Sequence, residues 1–296
     1  MLPVYLAVAY LQRMETTLTN ARLVSLVRSY FDGAGIEVAI ENGVARVPTG
    51  GVFGLNNIGL TLDALPEDAW PQTVASHFDS LLAVEPELPG TFEEASNLLR
   101  IRLSVVEDAD LFPGIETWRP IGGGLREMLM FKLDVGARNV PPDVVEAWGA
   151  DPDMAWKTGR DNTFWDEPHE RNVLQGPNDE VINMVTGSFF ASSMLLDIGR
   201  FGLAPHGYLA MIPSRDILLF CRLDYHTMSR HLRGMLNVGG IFHVREPGPI
   251  SPDLYWWHEG AIRRIAKGNP NGQFVPESHS AFSKVLHVIE RTYLKP

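Results

Sequence analysis

The chain has 296 residues, 45% of them apolar and 21% charged, with a net charge of −11. These values exclude a disordered, collagen-like or coiled-coil chain and allow one large domain or two smaller ones with a full core. The single cysteine, Cys221, cannot close an intramolecular disulfide and excludes any multi-cysteine metal cluster.

The opening Met1–Tyr10 run is apolar, but no basic residue precedes it, no small-residue cleavage site follows it, and it is about half the length of a membrane span. It reads as a strand or short buried helix of a cytoplasmic protein, or as no part of the chain if Met14 is the true start. Thr19-Asn20 then caps a helix carrying Leu23, Leu26, Val27, Tyr30 and Phe31 at helical spacing, ended by Gly33 and Gly35. Ile36–Ile40 and Val44–Val47 flank Asn42-Gly43 as a β-hairpin. Residues 52–62 read as a third strand or a loose loop. Pro71 opens a helix through Ala75, Phe78 and Leu82, and Thr91 with Glu94 forms a capping box before Ala95–Leu99.

Leu99–Val106 alternates as a strand, followed by the acids Glu107, Asp108 and Asp110. Phe112–Gly124 is rich in proline and glycine and reads as a flexible linker, dividing an N-terminal α+β sub-domain, 1–115, from a C-terminal one, 116–296. Residues 127–134 predict a strand, Pro141-Pro142 a short helix, and Asp151-Pro152 the cap of another. The polar residues 159–180 read as a loop, and Ser188 as the start of a helix with Phe189, Phe190, Ser193, Met194 and Ile198 inside. Gly207–Ile212 and Ile217–Leu223 form a hairpin around Pro213-Ser214-Arg215-Asp216. A helix over Thr227–Leu236 and strands at 240–245 and 254–258 complete the reading. Helices and strands mix without regular alternation, so the predicted class is α+β, with mainly antiparallel sheets and no Rossmann-type doubly wound sheet.

Dinucleotide and Walker glycine motifs are absent, as are a zinc-binding His-Glu-x-x-His and a Gly-x-Ser-x-Gly elbow, so no cofactor and no metal is predicted. Cys221 lies in an apolar run and reads as an inert core thiol. Charge is uneven: residues 51–180 hold 24 acids and 9 bases, and residues 181–296 hold 8 and 12. An acidic middle suits a basic protein partner, with Glu107, Asp108 and Asp110 as candidate contacts. No basic stripe suggests nucleic acid, and nothing suggests a membrane. At the hairpin tip, Ser214, Arg215 and Asp216 read either as a structural corner or as an anion- or partner-recognition tip.

The chain also resembles the YtpQ-like family of bacterial proteins over roughly residues 95–265. The matching stretches are Gly149–Lys157 with Asn162, Ala191–Leu196, Gly207–Phe220 and Ser251–Tyr255 with Gly260, the Pro213-x-Arg215-Asp216 step being the sharpest. The resemblance implies a cytoplasmic α+β protein and brings no activity or catalytic residue. Two readings of function follow. One is a non-catalytic binding, regulatory or interaction module with an acidic surface. The other is an enzyme, hydrolase-like, with a site around Arg215 and Asp216 and with His226 or His231 as general base.

Overall fold

A computed structural model describes residues 21–41, 43–48, 51–63, 65–82, 88–111, 116–133, 136–176, 179–269 and 273–293. The opening apolar run, the Thr19-Asn20 cap, the turn residue Asn42 and residues 112–115 of the expected linker lie outside that set. The protein is α+β, with three mainly antiparallel sheets. It divides into two compact units, Met1–Glu87 with Arg245–Gly248, and Leu88–Val244 with Pro249–Pro296.

In the first unit, helix α1 (Ala21–Gly33) turns Leu23, Val27 and Phe31 inward, at the spacing its sequence shows. The hairpin forms as β1 (Ala39–Glu41) and β2 (Val44–Arg46), and β3 (Val52–Gly54) adds to its edge. The stretch expected as one strand or loop goes on into helix α2 (Asn56–Asp63), which buries Ile58 and Leu62. Helix α3 (Trp70–Leu82) closes this core with Trp70, Val74 and Phe78.

The second unit opens with α4 (Phe92–Ser96), held by the expected box: Glu94 N donates to Thr91 Oγ1 at 3.3 Å and Thr91 N donates to Glu94 Oε2 at 3.2 Å. Strands β4 (Leu99–Val105), β5 (Trp118–Gly122), β6 (Leu125–Lys132) and β7 (Ala137–Asn139) then form one sheet, in which β4, β5 and β7 all pair with β6. The boundary expected at 115/116 therefore falls inside a sheet, because β4 and β6 pair across it along their whole length. From Trp118 on, the stretch expected as a flexible linker is β5 and a turn. Gly122, Gly123 and Gly124 all take positive φ there, at 96°, 64° and 78°, so the glycine run specifies a tight turn.

Helix α5 (Pro142–Ala147) precedes α6 (Pro152–Trp165), which Asp151 caps through the Asp153 N–H at 3.0 Å. The polar stretch read as a loop from residue 159 instead supplies the last two turns of α6 and then β8 (Glu170–Gln175). Within it Arg160 pairs with Glu127 at 2.7 Å, and Asn162 Nδ2 donates to Ser96 O and Leu99 O. Seven antiparallel strands follow in the order β14-β13-β12-β10-β11-β9-β8, the others being β9 (Val181–Thr186), β10 (Tyr208–Ser214), β11 (Ile217–Arg222), β12 (Leu254–His258), β13 (Ala261–Gly268) and β14 (Phe274–Pro276).

Alternation along β10 and β11 gives this sheet two apolar faces. Tyr208, Ala210, Ile212, Leu218 and Phe220 meet the 3-10 segment Ala191–Phe201. Leu209, Met211, Leu219 and Cys221 meet α7 (Leu232–Arg245) and α8 (Ser280–Tyr293). The strand expected at 240–245 is the end of α7, where Val238 and Phe242, four apart, share the packed face. The helix expected from Ser188 starts instead at Ala191, as tighter 3-10 turns.

A Cβ at Gly122 would stand 2.7 Å from the Ile262 carbonyl oxygen, at a φ that side chains rarely adopt. Gly122→Ala is predicted to destabilise the second unit by about 2 kcal/mol, read as a lower denaturant midpoint with the slope unchanged.

Candidate functional site

Strand pairing sorts the side chains of the β4–β7 sheet onto two faces. Leu99, Ile101 and Leu129 lie on the face covered by α6, packed with Ala155 and Trp156. On the opposite face β4 presents Arg100, Arg102 and Ser104, facing Met130, Met128 and Arg126 of β6 in register. Trp118 of β5, opposite Met128, and Asn139 of β7, opposite Met130, share this second face. Three basic side chains on a sheet face would ordinarily mark it as solvated. Here the turn before the 3-10 segment covers part of it, and Phe189 and Phe190 pack on Met128 and Met130.

One carboxylate fixes that cover. Glu167, whose side chain is 3% exposed, accepts from Arg100 Nε at 2.6 Å, Lys132 Nζ at 2.8 Å and Ser188 Oγ at 3.0 Å. Ser188 Oγ in turn accepts from Phe190 N at 3.1 Å, which shapes the turn carrying both phenylalanines. Burial works against the Glu167 charge, but the hydrogen bonds from Lys132, Arg100 and Ser188 outweigh it and hold the carboxyl below its usual range.

Around this frame stand three further guanidinium groups. Arg126 donates to Glu116 Oε2 at 2.8 Å and lies 5.4 Å from the Trp118 ring centre. Glu116 is completed by Asn139 Nδ2 at 3.0 Å. Arg215 reaches in from the β10–β11 hairpin and lies 4.0 Å over the Phe189 ring, with its Nε donating to Asp216 Oδ1 at 3.1 Å. Arg102 differs from both, having no hydrogen bond or ion pair to any described residue. Burial first, and then the Arg215 charge, pull its pKa down to about 10, with Glu116 opposing and Arg126 adding to the fall. It stays charged at neutral pH, half-buried, with protein crowding it while some water access remains. Its donors are bonded to no described residue and stay open to solvent or to an anion.

The hairpin tip is a two-residue turn, since Ser214 pairs with Ile217 and leaves only Arg215 and Asp216 between them. Ser192 N donates to Arg215 O at 3.0 Å, and Pro213 O accepts from Ile250 N at 3.1 Å and lies 3.0 Å from His243 Nδ1. Ser214 is buried with its hydroxyl lacking a partner among the described residues. Burial pushes the Asp216 carboxyl up, against the pull of Arg215.

The candidate residues do not all meet. His226 and His231 belong to the turn and π-helical segment Thr227–His231 beyond the far end of β11, where His231 Nδ1 accepts from Val181 N at 3.0 Å. Six strand residues, about 20 Å, separate that end from Arg215 and Asp216, so the expected catalytic grouping is not assembled. The acidic run also divides. Glu107 is exposed, but Asp108 turns in to accept from Ser104 Oγ at 3.3 Å, and burial raises its pKa against that bond and the Arg126 charge. The side chain of Asp110 lies outside the described residues. Cys221 is buried, donates to Val181 O at 3.3 Å, and has its pKa pushed up to about 12 by burial, which makes it unreactive as expected.

Among the described residues no group of three or more His, Cys, Asp or Glu is placed to hold a metal ion, and no helix is long and apolar enough to cross a membrane. No protein family, characterised relative or solved structure matches the chain.

Removing the Glu167 charge leaves Arg100 and Lys132 without their shared counter-charge. Glu167→Gln is predicted to lower the unfolding free energy by about 3 kcal/mol near neutral pH. Because the native pKa is lowered, this stabilisation is present above the ordinary carboxylate range and is lost as pH falls through the native value. Thermal unfolding of both proteins across acidic pH should show their difference narrowing as pH drops.

Proposed function

We propose that this protein is a non-catalytic binding module whose ligand is an anion held at Arg102, with Arg126 and Arg215 beside it. The observation that carries this reading is the Arg102 guanidinium, crowded by two other cations and hydrogen-bonded to no described residue. A purely structural arginine at such a position would be matched, as Arg100 and Arg126 are. The reading takes the recognition role considered for Ser214 and Arg215 and centres it on a residue of β4.

Anion binding is favoured over a basic protein partner at Glu107–Asp110, because Asp108 commits its carboxylate to Ser104. It is favoured over catalysis with a histidine base, because His226 and His231 stand beyond the opposite end of the hairpin.

A residue kept for binding at the expense of the fold leaves a two-part signature. Arg102→Met is predicted to raise the unligated protein's stability by about 1 kcal/mol, since it replaces an uncompensated charge with an apolar chain of similar length. The same substitution should abolish stabilisation by anions. For wild type, a bound anion at ten times its Kd adds about 1.4 kcal/mol. Thermal unfolding over a panel of sodium salts at constant ionic strength checks both parts. A less stable Arg102→Met protein, or equal responses to every salt in both proteins, would contradict the reading.

A further inference from the structure

The seven-stranded sheet ends on β8, at a surface independent of Arg102. β8 pairs with β9 over all six of its residues, from Glu170 opposite Thr186 to Gln175 opposite Val181, without a shift in register. On its other side no described residue hydrogen-bonds its backbone. Alternate N–H and C=O groups of β8 therefore point away from the sheet, a template for one more strand. Such edges are ordinarily blunted by a proline or a bulge, and β8 has neither.

Side chains at this edge state which strand fits. Arg171, Val173 and Gln175 share a face with Val185, Asn183 and Val181, their partners on β9. Phe201, the last residue of the 3-10 segment on this face, stacks on Phe220. Val173 is nevertheless 52% exposed, and Val181, diagonal to it, 42%. Arg171 lies 5.6 Å from the Phe201 ring centre and donates through Nε and Nη2 to the Asn183 amide oxygen. That acceptor is neutral, and Arg171 has no ion pair to a described residue. Arg222 of β11 is exposed on the same face, beside Gly202, and also has none. The corner thus joins apolar surface, an open strand edge and two cations without a bonded carboxylate, which an extended acidic segment complements. A second copy of β8 does not. Antiparallel neighbours meet on a shared face, and Arg171, Val173 and Gln175 include no acid to set against Arg171.

We infer that the β8 edge docks an extended acidic segment of another protein, added antiparallel, with a carboxylate opposite Arg171 and an apolar side chain opposite Val173. The blocked peptide acetyl-Thr-Val-Val-Thr-Glu-Thr-amide, titrated into the whole isotope-labelled chain, tests this by NMR. In antiparallel register its glutamate meets Arg171 and its second valine meets Val173. The peptide is expected to shift the β8 amide signals and to slow hydrogen exchange at alternate β8 residues. Lysine in place of the peptide's glutamate should weaken binding about fivefold. An analogue methylated on the backbone nitrogens that would face β8 should not bind. Arg171→Glu should reverse the preference between the glutamate and lysine peptides. Arg171→Gln should erase that preference, and it serves if the first variant does not fold. No change at β8 up to the solubility of the peptide would overturn the docking edge. Equal binding of the lysine peptide would overturn the acidic partner, and binding of the methylated analogue would overturn strand addition. Protection of β8 that rises with protein concentration in the absence of peptide would replace the partner with a second copy.

Discussion

Glu167 receives Arg100, Lys132 and Ser188 at once, on two oxygens almost shut off from solvent. A carboxylate in that position is stable as an anion only because all three donors converge on it. The donors come from three separate places: the start of β4, the end of β6 that pairs beside it, and the turn that leads into the 3-10 segment. That convergence decides where Phe189 and Phe190 sit. Phe190 joins Met128 and Met130 in a small buried cluster, and Phe189 provides the ring on which Arg215 rests. Glu167 is thus one of the ties between the hairpin tip and the sheet face, beside the bonds from Ser192 N to Arg215 O and from Ser193 Oγ to Ile101 O.

Arg102 takes its character from the same frame. Its strand neighbour Arg100 has the same residue type and the same face, yet Arg100 is matched by Glu167 and Arg102 is matched by none of the described residues. Desolvation and two like charges oppose it, and only Glu116 acts in its favour from nearby. Folding normally eliminates such an arrangement, and retaining it has a physical rationale when the missing partner arrives with a ligand.

Much of the fold was legible because its signals were local. Capping residues at Thr91 and Asp151 and apolar runs on either side of Pro213–Asp216 each predicted the element that formed. Arg215 and Asp216 stood out because three polar residues between two apolar strands need an explanation. Arg102 did not, since an arginine at an alternating strand position reads as solvent-facing until the cover above it is known. Glu167 was hidden inside a polar stretch that composition alone assigns to a loop. Strand β5 was hidden by Pro120 and the glycines after it, which an edge strand tolerates beside a tight turn. For Glu167 the deciding partner was distant in the chain, with Arg100 67 residues away.

The central claim is that Arg102 keeps its donors unbonded to any described residue while Arg100 and Arg126 are engaged. Nitrogen-detected NMR of the arginine side chains tests it most directly, through hindered rotation about the Nε–Cζ bond of each guanidinium. With no ligand added, Arg100 and Arg126 should rotate slowly, locked by Glu167 and Glu116, and Arg102 should rotate much faster. An Arg102 signal as hindered as that of Arg126 would mean the group already has a protein partner, and the account of an open anion site would fail.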